Sequence, residues 1–282
     1  MALKNTTNKT ILITGASSGI GRHAALHLHK TGWQVIATAR QESDLEELRE
    51  EGVSAVHLDY ADEASIAACI EHTLGFTGGR LFALFNNGAY GQTGALEDIS
   101  PELLRQQFEA NFFGWHSLTQ KVLPIMRSQQ AGRIIQCSSV LGFVAVPYRG
   151  PYQASKFALE GYTDTLRLEV EPFGIKVVSI QPGPITSAFR KNALATFERT
   201  MNPEKSAYKS DYQRHLKRLR SNARDRFELG PEAVTAALVD ALEAKRPKLR
   251  YRVTVPTRAA SVLSRVLPDR AMHAFLRKQG NG

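Results

Sequence analysis

The sequence predicts an α/β fold: a doubly wound parallel sheet of about seven strands with helices on both faces. Three observations carry this expectation. Short β-branched apolar runs alternate with longer amphipathic segments through the first two-thirds of the chain. Those runs are almost continuously apolar, as strands buried on both faces must be. Glycine and proline punctuate the joints, with no internal repeat or low-complexity linker between them. A chain of 282 residues can bury the core of one large domain, expected to span 1–282.

The elements follow in order. Thr10-Ile11-Leu12-Ile13-Thr14 reads as a buried strand, and 20–31 as a helix closed by Gly32. Residues 33–38 form a second strand and 42–51 a charged helix closed by Gly52. A third strand at 54–58, a helix at 63–74 and a fourth strand at 81–85 come next. Helical patterns cover 101–113 and 116–129, and Gly132 then introduces a strand at 133–137. Pro151 opens a long helix that ends near 172–174, before a sixth strand at 175–180. In such a sheet, ligands bind at the carboxyl ends of the strands.

After Pro182 the pattern loosens. Residues 187–227 are polar and basic, and their place after a strand's carboxyl end suits a helical substrate lid. A helix at 231–244 and a last strand at 251–255 follow. The C-terminal segment 257–282 reads as a basic amphipathic helix, apolar at Val262, Leu263, Val266, Leu267, Phe275 and Leu276.

Composition narrows the class. The hydrophobic fraction of 43% is ordinary for a globular protein, and no run reaches the length of a membrane span. Residues 1–10 are polar, without the apolar run of a secretory signal. Two cysteines, Cys69 and Cys137, imply no disulfide framework, so a cytoplasmic setting is expected. The net charge is +9, concentrated in 205–226 and 245–277. Such runs mark either an anionic partner or a solvated face. No nucleic-acid motif accompanies them, so no nucleic-acid partner is expected. The C-terminal helix could lie on a membrane interface, but closing the pocket or packing against another subunit of a homo-oligomer is preferred.

The first strand runs straight into Thr14-Gly15-Ala16-Ser17-Ser18-Gly19-Ile20-Gly21 and a helix. These glycines allow a tight turn and let a phosphate approach main-chain N–H groups at a helix N-terminus, where the dipole favours an anion. The turn lacks the Lys-Ser/Thr ending of a triphosphate loop, so a dinucleotide is expected. The second strand ends Ala39-Arg40, where an acidic residue would bind a ribose 2′-hydroxyl. A guanidinium there can pair with a 2′-phosphate through charge-assisted bonds of about 1.5–3 kcal/mol each, which points to NADP(H). The alternative is a solvated arginine. Asp59, after the third strand, either accepts a bond from adenine or caps the next helix.

Tyr152 and Lys156 are one helical turn apart and share a face. A nearby ammonium should lower the phenol's pKa from near 10 and make it a usable proton carrier. Ser139 ends the preceding strand and can hold a substrate oxygen beside Tyr152, while Asn111 can hold water against Lys156. His23 and His27 are four apart but lack a metalloprotease glutamate, so no metal is expected.

With these motifs in order, the chain resembles the short-chain dehydrogenase/reductases over residues 9–190. The resemblance rests on the glycine turn, Asn86-Asn87-Gly88, Asn111, Ser139, Tyr152-Gln-Ala-Ser-Lys156 and Pro182-Gly183 with Thr186. It implies a Rossmann-type fold and a catalytic tetrad of Asn111, Ser139, Tyr152 and Lys156. It also implies cofactor contacts from Gly15, Ser17, Ser18, Gly19, Ile20, Gly21, Arg40, Asp59, Asn87 and Gly88. Lys156 would bind the nicotinamide ribose, and 182–186, including Ile185, would lie against the carboxamide and pyrophosphate. The family's Asn-Asn-Ala-Gly is inverted here to Gly88-Ala89. The later chain is similar to the branch holding retinol and 17β-hydroxysteroid dehydrogenases and bacterial aldehyde reductases. That similarity suggests an apolar carbonyl or alcohol substrate near Phe143, Val144, Val146, Tyr148, Phe189 and Phe197, residues that could equally be core. The expected reaction moves a hydride between NADP(H) and that substrate, with Tyr152 as acid or base. A dinucleotide-binding sensor without activity is the alternative, against which the complete tetrad argues.

Overall fold

The computed structural model describes residues 9–221 and 224–280. The polar start of the chain, residues 222–223 of the basic segment and the last two residues lie outside the described residues. Seven strands form one parallel sheet: β1 (Thr10–Ile13), β2 (Gln34–Ala39), β3 (Ser54–His57), β4 (Ala83–Asn86), β5 (Gly132–Cys137), β6 (Ile175–Gln181) and β7 (Arg250–Arg252). Their spatial order is β3-β2-β1-β4-β5-β6-β7, with every neighbouring pair parallel. Ile11, Leu12, Ile13, Leu84 and Phe85 are fully buried, as strands covered on both faces require. The order reverses between β3 and β4, so a crevice opens beyond the carboxyl ends of β1 and β4.

Eleven α-helices surround the sheet among the described residues. They are α1 (Gly19–Lys30), α2 (Glu42–Glu50), α3 (Glu63–Thr77), α4 (Pro101–Phe108), α5 (Gly114–Ser128), α6 (Gly150–Val170), α7 (Phe189–Thr200), α8 (Lys209–Arg220), α9 (Glu232–Glu243), α10 (Val255–Val266) and α11 (Asp269–Gly280). α1 packs against α9, and α3 against α5. Local chemistry sets the ends. The Asp62 carboxylate caps α3 by accepting the Ala64 N–H at 2.9 Å, and Gly78 closes it in the left-handed conformation. Ser100 caps α4, with Pro101 at its first position.

Three segments differ from expectation. Residues 101–128 are helical throughout, because a π-turn at Glu109–Phe113 joins α4 to α5 without a break. The last strand is shorter and earlier: the Thr254 hydroxyl caps α10, so Val255 starts a helix rather than ending a strand. The expected single C-terminal helix is two, broken where Leu267 takes the extended conformation before Pro268. The loosely patterned 187–227 contains α7 and α8.

Candidate active site

A cavity of about 1840 Å³ lies beyond the strand ends. Its floor is the turn between β1 and α1. Gly15 adopts φ +64°, and a Cβ there would stand 2.4 Å from the Gly88 Cα. A Cβ on Gly21 would stand 2.2 Å from the Gly15 carbonyl oxygen. The segment after β4 clamps this turn. The Thr14 hydroxyl accepts the N–H groups of Asn87 (2.8 Å) and Gly88 (3.1 Å), and the Asn87 amide donates to the Thr14 and Gly15 carbonyls. Gly88 therefore belongs at its position: a side chain there would crowd Gly15 and the Tyr60 ring.

Gly15, Ser17, Ser18, Gly19 and Ile20 line the cavity, as do Arg40, Asp59, Asn87 and Gly88. Gly21 does not; its contribution is the close packing of α1 on the turn. Arg40 is exposed at the end of β2, with no hydrogen bond or ion pair from its side chain among the described residues. Asp59 accepts the Ala61 N–H, and the cap of α3 is Asp62, so the capping alternative for Asp59 is set aside.

On the other wall, Ser139, Tyr152, Lys156, Pro182, Gly183, Ile185 and Thr186 face the same cavity. Ser139 follows β5, and Tyr152 and Lys156 lie in the first turns of α6. Ser139 and Tyr152 stand on the same wall, and the Ser139 hydroxyl accepts the Leu141 N–H at 3.1 Å. The Lys156 ammonium donates to the Cys137 carbonyl at 2.8 Å, 4.2 Å from the Trp115 ring centre and 5.7 Å from that of Tyr152. Phe189, at the start of α7, packs edge-on over the Tyr152 ring with centroids 5.2 Å apart. The Thr186 hydroxyl donates to Glu228, which holds the strand-to-lid segment to the chain after α8.

The model of the short chain dehydrogenase family matches residues 9–197. The chain belongs to that family. The chain is 40% identical over 270 residues to the uncharacterized oxidoreductase YbbO of Escherichia coli K12, covering 95% of this chain and 94% of that protein. It is 32% identical to human retinol dehydrogenase 8 over 259 residues, covering 88% and 82% of the two chains. A solved short-chain dehydrogenase from Streptomyces avermitilis superposes with TM-score 0.76 over 99% of both chains at 28% identity. The chain is thus an oxidoreductase of Rossmann-type fold with retinol-dehydrogenase-like relatives.

Two features of the site bear on those expectations. Asn111 does not line the cavity. It sits in the π-turn, fully buried, and its amide is engaged on both sides by Tyr90: the oxygen accepts the Tyr90 N–H (3.2 Å) and the nitrogen donates to the Tyr90 carbonyl (2.9 Å). The side chain fixes the cavity loop. The second concerns charge. Burial holds the Tyr152 phenol well above the usual tyrosine value, and the Ser139 hydroxyl and the Arg149 guanidinium pull it back. Burial pushes Lys156 itself down to about 8, against the opposing pull of Cys137 and Glu160. Desolvation of both groups outweighs their mutual effect when the ammonium sits beside the ring.

Of the six apolar candidates, Val144, Val146, Tyr148 and Phe189 line the cavity. Phe197 is core, packed with Ala95 and Tyr212, and Phe143 lies elsewhere. The sequence reading missed Arg149 and Arg190, which line the cavity; Leu263, Phe275 and Leu276, named there as apolar positions of the C-terminal segment, line it too. Arg149 stands three residues before Tyr152, which was its only sequence signal. His23 bonds Thr235 at 2.7 Å, and no cluster of three or more His, Cys, Asp or Glu suits a metal among the described residues. No described helix is long and apolar enough to cross a membrane.

Proposed function

We propose that the chain is an NADP(H)-dependent oxidoreductase acting on an apolar carbonyl or alcohol, with Tyr152 as proton carrier. The observation carrying this is that Tyr152, Ser139 and Lys156 share one cavity with the glycine turn and Arg40. The volume exceeds that of a site for one small ligand and leaves room for a dinucleotide and a substrate together. The turn fits a pyrophosphate: glycines bring main chain close where any Cβ would clash, and Ser18 begins α1 without a side-chain cap on its N–H groups. When bound, the dinucleotide exchanges a hydride with the carbonyl carbon.

The chain's own groups handle the proton. Tyr152, kept protonated by its burial, is in the form that donates to a developing alkoxide. Ser139, on the same cavity wall as that phenol, positions the substrate oxygen beside it. Lys156, anchored to the Cys137 carbonyl, keeps further N–H donors that would hold the nicotinamide ribose. Val144, Phe189, Leu194 and Leu263 supply an apolar wall.

Tyr152→Phe is expected to bind NADPH normally while kcat falls by at least about 100-fold. Fluorescence titration and NADPH oxidation with long-chain aldehydes and ketones check this, and retained turnover overturns the role. Ala39→Asp with Arg40→Ala is expected to move the ratio of kcat/KM for NADPH over NADH at least about tenfold toward NADH. An unchanged ratio removes Arg40 as the phosphate contact.

A further inference from the structure

We infer that the cavity contains, beside Tyr152, a subsite for an anionic group of the substrate, with Arg149 as its anchor. This rests on the oxidoreductase reading above and specifies its substrate: an amphiphile with a carboxylate or phosphate a few bonds from the reacting carbonyl.

The chain is built to hold Arg149 in place. Tyr148 adopts φ +63°, a left-handed conformation that costs a non-glycine residue on the order of 1 kcal/mol or more and persists only where its surroundings impose it. Its carbonyl accepts the Gly94 N–H at 3.0 Å, and Arg149 pairs with Gly94 in an isolated parallel bridge. The Tyr148 ring packs against Tyr208, Tyr212 and His215. Gly150 is pressed against Leu96, where a Cβ would meet its Cδ2 at 2.3 Å. Backbone on both sides of Arg149 is therefore fixed, and its side chain enters the cavity. Arg149 immediately precedes α6, three residues before Tyr152, and its charge acts on that phenol.

The charges around it do not balance. Arg190 and Arg218 share Asp225, at 3.1 and 3.6 Å, and Arg190 also reaches Glu228 at 3.5 Å. Neither carboxylate forms an ion pair with Arg149. Arg149 makes no hydrogen bond or ion pair through its side chain among the described residues. His215, packed beside Tyr148, has a buried Nε2 without a hydrogen-bond partner. Burial, Arg149 and Arg218 push that imidazole down to about 4, so it adds no charge of its own at neutral pH. Burial, then the Arg218 guanidinium, also lowers the proton affinity of Arg149, as uncompensated positive charge does. A desolvated guanidinium is costly unless something pairs with it, and its planar fork matches a carboxylate or phosphate. The apolar wall through Phe189, Leu194 and Leu263 takes the remainder of the substrate.

The test compares three ketones of matched chain length with NADPH: 3-oxooctanoate, its methyl ester, and the phosphate monoester of 1-hydroxyheptan-2-one. The full chain should favour at least one anionic ketone over the neutral ester by about tenfold or more in kcat/KM, with the preference weakening as salt rises. The favoured anion distinguishes carboxylate from phosphate. Arg149→Met should bring the ratio close to one and Arg149→Lys should leave an intermediate ratio; the neutral ester reports on folding in each. Calorimetry of 3-oxooctanoate and its methyl ester against the NADP⁺-loaded protein, a combination with no hydride to transfer, gives a readout independent of turnover. Arg149-dependent binding of the acid without turnover keeps the subsite and removes the oxidoreductase reading. Turnover with no anion preference in the unaltered protein overturns the subsite and leaves that reading. Neither binding nor turnover overturns both.

Discussion

His215 shows how burial decides the state of a single side chain. Its ring packs against Tyr148 and Phe197, and two neighbours, Arg149 and Arg218, are cationic. The folded value is pushed from 6.5 to about 4, so the unfolded chain binds the proton more readily. Stability from the neutral ring is therefore complete above about pH 6.5 and is lost as the pH falls toward about 4. The most this can amount to is about 3 kcal/mol, less for a partly exposed ring. His215→Phe keeps the packing and removes the titration, so its stability in urea should decline less steeply than that of the unaltered protein between those pH values. Parallel declines would show that the ring does not titrate there. The same logic governs Tyr152 and Lys156: each is moved by desolvation first, and by its neighbours only second.

At the scale of elements, the β1–α1 turn and the segment after β4 form one unit. Gly21 packs against the Gly15 carbonyl and the Asn87 amide, so a methyl group there must displace main chain. Gly21→Ala is expected to cost about 1–3 kcal/mol in stability and to weaken NADPH binding at least about tenfold, measured by denaturation and fluorescence titration. Gly161, inside α6, meets nothing within 4 Å of an added Cβ. Gly161→Ala should instead stabilise by about 0.5–1 kcal/mol with binding unchanged. If both substitutions behave alike, the close approach at Gly21 is not what the turn depends on. Gly88 is legible on the same grounds: Tyr60, bonded to Asn86 and packed on Trp115, occupies the space that a larger residue at 88 would need. The π-turn between α4 and α5 had no marker in the apolar pattern, because both flanking helices keep their periodicity across it. The break between α10 and α11 did have one, Pro268, within a pattern that otherwise continues past it.

Across the whole molecule, the last strand is held to the sheet by charge as well as by main chain. Arg250 on β7 reaches Glu160 at 3.2 Å and also Asp164, both on α6; Glu160 accepts the Ser179 hydroxyl of β6 at 2.7 Å, and Arg167 binds Asp164. Glu160 is buried, so removing its cation leaves an uncompensated carboxylate. Arg250→Met should destabilise by about 2–4 kcal/mol and lower Tm by roughly 5–10 °C, and adding Glu160→Gln should recover part of the loss. No recovery in the double variant would place the effect in packing rather than charge. Because α6 carries Tyr152 and Lys156 on the same helix as Glu160, this edge network also fixes the register of the candidate site.

The sequence by itself determined the sheet, the order of its strands' helices and the presence of the glycine turn beside the Tyr152–Lys156 pair, because these follow from local periodicity and short spacing. Tertiary structure alone decided which side chains meet. It turned Asn111 toward Tyr90, made Asp62 rather than Asp59 the cap of α3, and brought Arg149, Arg190 and the C-terminal helices to one cavity. It also set the protonation of Tyr152 and Lys156, since a pKa depends on the water excluded around a group, and burial is a property of the folded chain that neighbouring letters do not record.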